Sequence, residues 1–373
     1  MRVIGHSQRC FIVAEAGVNH GGELKAALAL VDAARQSGAD CVKFRAYKSE
    51  LMVGKAAPRS ELHAGEGTEH DWFARHELSE SDLGAIKKRC EQMSVEFCAS
   101  VFDLPSVEAV VRLGVQLLKI PSAEITNRAL VEACARSGLP CFISTGAATA
   151  AEISRVIGWY RLAARGGNSG YEFEGGGRAA LLHCVTGYPA PASQTNLRAI
   201  YRLRTTQNVP IGYSDHADTT RLVPLAVAAG ACVVQKALAL TRDGTPQRAV
   251  SALPDEFAAM VGQVREIEQA LGDGRKRAMP VEQPLPAQMR KAVVAARGLR
   301  KGEKLAVGDL ALKRPGREMQ GVVPQDLPRL VGKTLLCDVA EEAPLRWEFL
   351  AGQEAEEPSW FGTKPPREKP ANS

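Results

Sequence analysis

Eight short apolar runs, each parted from the next by a stretch of helical periodicity, set the strongest limit on what this chain can become. They are CFIVAE (10–15), DCVKF (40–44), VEFCA (95–99), VQLLKI (115–120), PCFIS (140–144), ALLHC (180–184), VPIGYS (209–214) and ACVVQ (231–235). Strands that alternate with helices pair in parallel, because a parallel neighbour is reached only through a long crossover. Strands this continuously apolar are buried on both faces. Eight such units over residues 1–271 predict an α/β fold closed into a (β/α)8 TIM barrel rather than an open sheet. Two of the intervening helical stretches, LKAALALVDAARQSG and RALVEACARSG, stop at Gly38 and Gly138, and glycine is the usual residue just past a helix end.

Such a barrel takes about 250 residues, and the chain has 373. The remainder reads as a Gly-, Pro- and charge-rich linker (272–289), a compact β-rich domain (290–350) and a tail (351–373) whose Glu, Pro and Lys predict disorder. Two insertions stand out, 45–78 with His63, His70 and His76, and the Gly-rich 165–178. Both are expected as surface loops, although a loop that long after a barrel strand can also serve as a lid.

Composition narrows the function. The net charge of +5, from 47 basic and 42 acidic side chains, is scattered, and 5% of residues are aromatic. Nucleic-acid binding, which needs clustered cations and stacking partners, is not expected. The nine cysteines form no CxxC pair, and Cys10, Cys41, Cys98, Cys141, Cys184 and Cys232 lie in or beside the apolar runs as small core residues. A reducing, cytoplasmic setting is expected, without a signal peptide or membrane span.

Polar residues collect where the runs end: Lys43, Lys119, Ser122, Glu124 and Ser214-Asp215-His216. Strand ends are where barrel enzymes build their sites. These residue types hold phosphate, carboxylate or a metal ion, so a small anionic substrate is expected.

AEAGVNHGG (14–22), GADCVKF (38–44), KIPSAE (119–124), ISTG (143–146), LLHC (181–184) and GYSDH (212–216) follow one another at barrel spacing. In that order the chain resembles the sialic acid synthase family, which makes nonulosonic acids and includes N-acetylneuraminate, legionaminate and pseudaminate synthases. The resemblance covers residues 8–350, and the C-terminal domain looks like the antifreeze-like (SAF) domain of those enzymes. It implies condensation of phosphoenolpyruvate with an open-chain N-acetylated hexose, giving a nine-carbon 2-keto acid and phosphate. It also implies a divalent metal, manganese or magnesium, that holds the aldehyde. By the same resemblance Lys43, Lys119, Ser122, Ser144 and Thr145 grip phosphoenolpyruvate, and Glu15 and Glu124 contact the sugar and the reacting centre. Asn127, Tyr188 and Ser214 match further substrate contacts, and Ser100 stands for a threonine. Asp215 contacts substrate or orients the His216 ring, and His183 follows the pattern too. Arg314 in KRPG (313–316) matches an arginine that reaches the sugar in the partner subunit's barrel, which implies a domain-swapped homodimer.

The departures fall on the metal and sugar side. His216 matches one of two histidine ligands, but where the family reads Glu-Lys-His this chain reads Gln235-Lys236-Ala237. Arg45-Ala46 replaces Gln-Thr, Thr186 replaces asparagine, and Gln247 replaces an acid, with Asp243 nearby as a substitute ligand. The expected function is a synthase of this type. The rival readings are a non-catalytic paralogue that binds phosphoenolpyruvate or sugar, and an aldolase using Lys119 or Lys236 as a Schiff base.

Overall fold

The computed structural model describes residues 2–60, 63, 66–167, 169–242, 248, 250–282, 289–316 and 321–352. The chain divides into two compact units, the first through Gly274 and the second from Arg275. In the first unit the strands are β1 (Arg2–Ile4), β2 (Phe11–Gly17), β3 (Cys41–Ala46), β4 (Glu96–Val101), β5 (Leu117–Ile120), β6 (Cys141–Ser144), β7 (Tyr171–Phe173), β8 (Ala179–Cys184), β9 (Ile211–Asp215) and β10 (Val233–Ala237). Eight of them close a barrel in the order β10-β2-β3-β4-β5-β6-β8-β9, every pair parallel. The expected (β/α)8 barrel is present, each strand within a residue or two of its apolar run.

Side chains alternate across the wall, as the strand period of two requires. On β2, Ile12, Ala14 and Ala16 face the helices, whereas Phe11 and Val13 join an inner cluster with Cys41, Cys98, Leu117 and Phe142. That inner cluster fills the bottom half of the barrel. It is closed from below by β1 and β7, which pair in parallel and place Ile4 and Phe173 against it. Part of the Gly-rich insertion is therefore core rather than surface loop: Phe173 is buried and its ring lies 5.5 Å from that of Phe142.

The other insertion also folds inward. It carries the helices Ser49–Met52 and Glu69–His76, the second opened by a capping box between Thr68 and Asp71. Trp72 and Phe73 are buried with Val18 and Tyr47, and the Tyr47 hydroxyl donates to the Phe73 carbonyl at 2.9 Å. His63 and His76 stack on Trp72, with ring centres 3.6 and 4.1 Å away. A surface loop was expected here. Burial of Trp72 and Phe73 against Val18 and Tyr47 makes it a packed lobe instead.

The second unit holds its own core, including Val293, Leu299, Leu305, Leu330 and Leu345, beside the antiparallel strands β11 (Ala292–Ala295) and β12 (Leu310–Lys313). Residues 353–373, where a disordered tail was expected, lie outside the described residues. All nine cysteines are free. Among the described residues no helix is long and apolar enough to cross a membrane.

Candidate active site

Above the inner cluster the barrel opens into a cavity of about 370 Å³. Strand alternation sets its lining. Past Val13, β2 presents Glu15; past Cys41, β3 presents Lys43 and then Arg45; past Cys98, β4 presents Ser100. From β10 come Gln235 and Ala237, while Lys236 between them faces out of the barrel.

The floor is charged and buried. Lys43 and Glu15 form an ion pair with side chains only 4% and 9% exposed. Burial pushes the Glu15 carboxyl pKa up, but the cations of Lys43, Lys119 and Arg45 outweigh this and hold it below its ordinary value. Lys119 is equally buried, and desolvation, with Lys43 beside it, pulls its pKa down to about 8. Lys119 Nζ donates to the side-chain carbonyl oxygen of Gln235 at 2.8 Å, and the Gln235 amide nitrogen in turn donates to Ser214 Oγ at 3.0 Å.

Three buried polar atoms of this lining, Glu15 Oε1, Ser100 Oγ and Ser144 Oγ, meet no hydrogen-bond partner among the described residues. Leaving one such group unpaired costs about 1–3 kcal/mol. Together around one cavity, they mark a place built for a polar ligand.

The rim is set by close approach. Ser122 Oγ accepts the Gly146 N–H at 3.0 Å. A Cβ at 146 would lie 2.1 Å from Thr186 Oγ1 and 2.8 Å from Ser122 Oγ, so only glycine lets these three chain segments meet. Glu124 lines the cavity and accepts from Asn127 Nδ2 at 2.8 Å. Asn127 also caps the helix Arg128–Arg136 through Leu130 N–H, so it positions Glu124 from outside the cavity. Past β8 and β9, Tyr188 stacks on His216, ring centres 4.5 Å apart, and its hydroxyl lies 3.3 Å from Nε2. Burial and the charge of Lys119 drive the His216 pKa down to about 3, leaving a neutral imidazole.

Nine expected residues thus meet in one cavity, Glu15, Lys43, Ser100, Lys119, Ser122, Glu124, Ser144, Tyr188 and His216, and Asp215 borders it with its carboxylate turned away. Four others lie outside this lining. Thr145 turns its hydroxyl to the Leu182 carbonyl at 3.2 Å, and Ser214 sits behind Gln235. Asn127 acts through Glu124, and Arg314 stands exposed past β12 in the second unit. Asp215 does not orient His216. Its oxygens accept from the Tyr213 hydroxyl and Lys236 Nζ, both at 2.8 Å, on the outer side of the wall. His183 is a packing residue, its Nε2 2.8 Å from the Thr195 carbonyl. Lys236 is held by Asp215 and by the carbonyls of Ala217 and Thr219, an arrangement that opposes its use as a Schiff base.

Arg45, Gln235 and Thr186, expected as departures on the metal and sugar side, also line the cavity, together with Cys184, Met52, Val53, Glu69, Phe73 and Phe102, which were not expected in the site. Arg45 and Phe102 lie two residues past Lys43 and Ser100, so the strand period alone could have found them. Gln235 and Cys184 lie on β10 and β8 and Thr186 two residues past Cys184, whereas Met52, Val53, Glu69 and Phe73 depend on how the 45–78 insertion folds.

A divalent metal is implied by the resemblance, and the donors do not suit one. His216 is a single imidazole, Ala237 fills the place of the second, and no three His, Cys, Asp or Glu side chains among the described residues converge to hold an ion. Asp243 and Gln247 lie outside the described residues.

Comparison with known proteins agrees with this architecture. Residues 30–276 match the NeuB family and residues 290–351 the SAF domain. The N,N'-diacetyllegionaminic acid synthase of Legionella pneumophila is 35% identical over 93% of this chain and 96% of its own length. The human N-acetylneuraminate-9-phosphate synthase is 31% identical over 94% and 95%. A crystal structure of the N-acetylneuraminic acid synthetase of Leptospira borgpetersenii, 34% identical, superposes with a TM-score of 0.66 over 75% of this chain and 91% of that one. The chain belongs to the NeuB family, as a nonulosonic acid synthase-like barrel followed by a SAF domain.

Proposed function

We propose that this protein condenses phosphoenolpyruvate with the open-chain aldehyde of an N-acetylated hexose, releasing phosphate and forming a nine-carbon 2-keto acid. The observation that carries the reading is the pairing of two buried lysines, Lys43 and Lys119, with three unpartnered polar atoms in one cavity. A ligand with both a phosphate and a carboxylate satisfies such a set, because buried cations bind anions far more strongly than exposed ones. Glu15 and Glu124 are the carboxylates available to move a proton beside it. Toward the insertion the lining carries the apolar Met52, Val53, Phe73 and Phe102 beside Arg45 and Glu69. That wall suits the methyl groups of acetamido substituents, and favours a di-N-acetylated, deoxygenated hexose over a heavily hydroxylated one.

Release of phosphate from phosphoenolpyruvate, measured against a panel of N-acetylated and di-N-acetylated hexoses, tests the reading. Turnover with one of them is expected. Binding of phosphoenolpyruvate without release under any acceptor would favour the non-catalytic paralogue, which Ala237 alone supports. The homodimer belongs to the same proposal. An Arg314→Ala subunit mixed with a Lys119→Ala subunit should recover part of the activity, and a mixture as inactive as each variant alone argues against an arm acting in trans.

A further inference from the structure

We propose that Arg45 supplies the positive charge that polarises the acceptor's carbonyl oxygen, so that the carbon–carbon bond forms without a bound divalent cation. The inference rests on the functional reading above and adds to it the identity of the electrophile.

The geometry begins with β3. Lys43 and Arg45 are two residues apart and both face the barrel interior, one at the floor of the cavity and the other nearer its mouth. β10, which carries Ala237, is separated from β3 only by β2. Beyond Glu15, which is paired with Ala237, β2 ends on Gly17, a residue without a side chain. Arg45 thus shares the top of the cavity with the place left small by Ala237.

Its charge is felt on both sides of the reacting space. It lowers the carboxyl pKa of Glu15 on the floor and opposes the upward push of burial on the Tyr188 phenol across the cavity. Tyr188 is the residue stacked on His216. An acceptor lying between Glu15 and Tyr188 therefore places its carbonyl in the field of the guanidinium.

Guanidinium chemistry suits the task. It keeps its proton at any working pH and offers several N–H donors in a fixed plane, so it can hold an oxygen that becomes an alkoxide without giving up a proton to it. The charge balance points the same way. Relative to the pattern that this chain resembles, Arg45 in place of glutamine and Gln235 in place of glutamate each add one positive unit, which matches the two units of a dication.

The step balances without an added reactant beyond water. The π pair of phosphoenolpyruvate forms the bond from its methylene carbon to the carbonyl carbon, and the carbonyl π pair moves to the oxygen beside Arg45. Water adds to the enol-phosphate carbon and one of its protons reaches the alkoxide. The remaining hydroxyl proton leaves with phosphate as the C–O bond breaks and the ketone forms.

The test uses full-length protein stripped with a chelator, its metal content checked by elemental analysis, with phosphate release and manganese titration as separate readouts. Stripped parent should turn over within about twofold of its rate with manganese added, and Arg45→Gln should lose about 100-fold or more in kcat. Arg45→Lys should keep an intermediate rate, because the charge remains and the planar fork is lost. The double variant Arg45→Gln/Ala237→His should bind manganese more tightly than the parent in the titration and regain turnover only with the metal. Activity of the parent that vanishes on stripping and returns with manganese overturns the inference, as does an Arg45→Gln variant within about threefold of the parent. If the parent binds phosphoenolpyruvate but releases no phosphate with or without manganese, the functional reading itself fails and this inference falls with it.

Discussion

Lys236 and Lys119 are both buried on barrel strands, one facing out of the wall and the other into the cavity, and their surroundings differ in kind. Lys236 meets a carboxylate and two backbone carbonyls, with side-chain exposure of 1% against 0% for its partner Asp215. Its charge is fully compensated by protein. Lys119 has one amide oxygen from Gln235 and a like charge nearby, and its pKa falls to about 8. A compensated buried cation ties elements together, whereas an undercompensated one in a cavity is held ready for an anion.

The largest effect should come from breaking the outer pair. Asp215→Ala leaves Lys236 buried without its counter-ion and should cost about 3–5 kcal/mol of stability, read from the denaturant midpoint. Replacing both partners, as in Asp215→Leu/Lys236→Met, should cost far less. A loss below about 1 kcal/mol for Asp215→Ala would erase the distinction between the two lysines.

The inner lysine should behave in the opposite way. Lys119→Ala is expected to weaken phosphoenolpyruvate binding by about 1.5–3 kcal/mol in calorimetry, while stability stays level or rises because a desolvated charge is gone. Reduced stability with unchanged binding would make Lys119 another structural lysine. The pH profile sharpens the point. The cationic form holds the anion and exists below a pKa of about 8, so affinity should be full at neutral pH and decline as pH rises through that value, by at most about tenfold per pH unit. Lys119→Arg, charged throughout, should flatten this dependence.

The same contrast explains what could be read from sequence. Barrel strands appear as unbroken apolar runs because both faces are buried, and Lys43 and Lys119 stand out against them. Nothing in those runs says which face a polar residue takes, so Asp215 and Thr145 read as site residues although their polar atoms point elsewhere, and Ser214 faces inward but its hydroxyl accepts from Gln235. Once one inward residue is known, alternation fixes the rest, which is how Arg45 follows from Lys43. The insertion's contribution was out of reach. Glu69 and Phe73 reach the cavity only because Trp72 and Phe73 pack against Val18 and Tyr47, a contact between distant segments that no local pattern encodes.

The smallest predicted effect concerns a residue that serves both sides of the comparison. Asn127 caps the helix Arg128–Arg136 with its side-chain oxygen and donates to Glu124 with its nitrogen. Asn127→Ala removes both contacts and should cost about 1 kcal/mol of stability through the lost cap. Asn127→Asp keeps a capping oxygen but sets a second carboxylate against Glu124, so stability should be restored while the carboxylate is pushed from its place. If Glu124 must be held for turnover, both variants should lower kcat by a similar few-fold, about 1 kcal/mol in barrier, with phosphoenolpyruvate affinity unchanged. If the aspartate variant regains kcat together with stability, the cap is all that Asn127 provides, and Glu124 needs no help in taking its position.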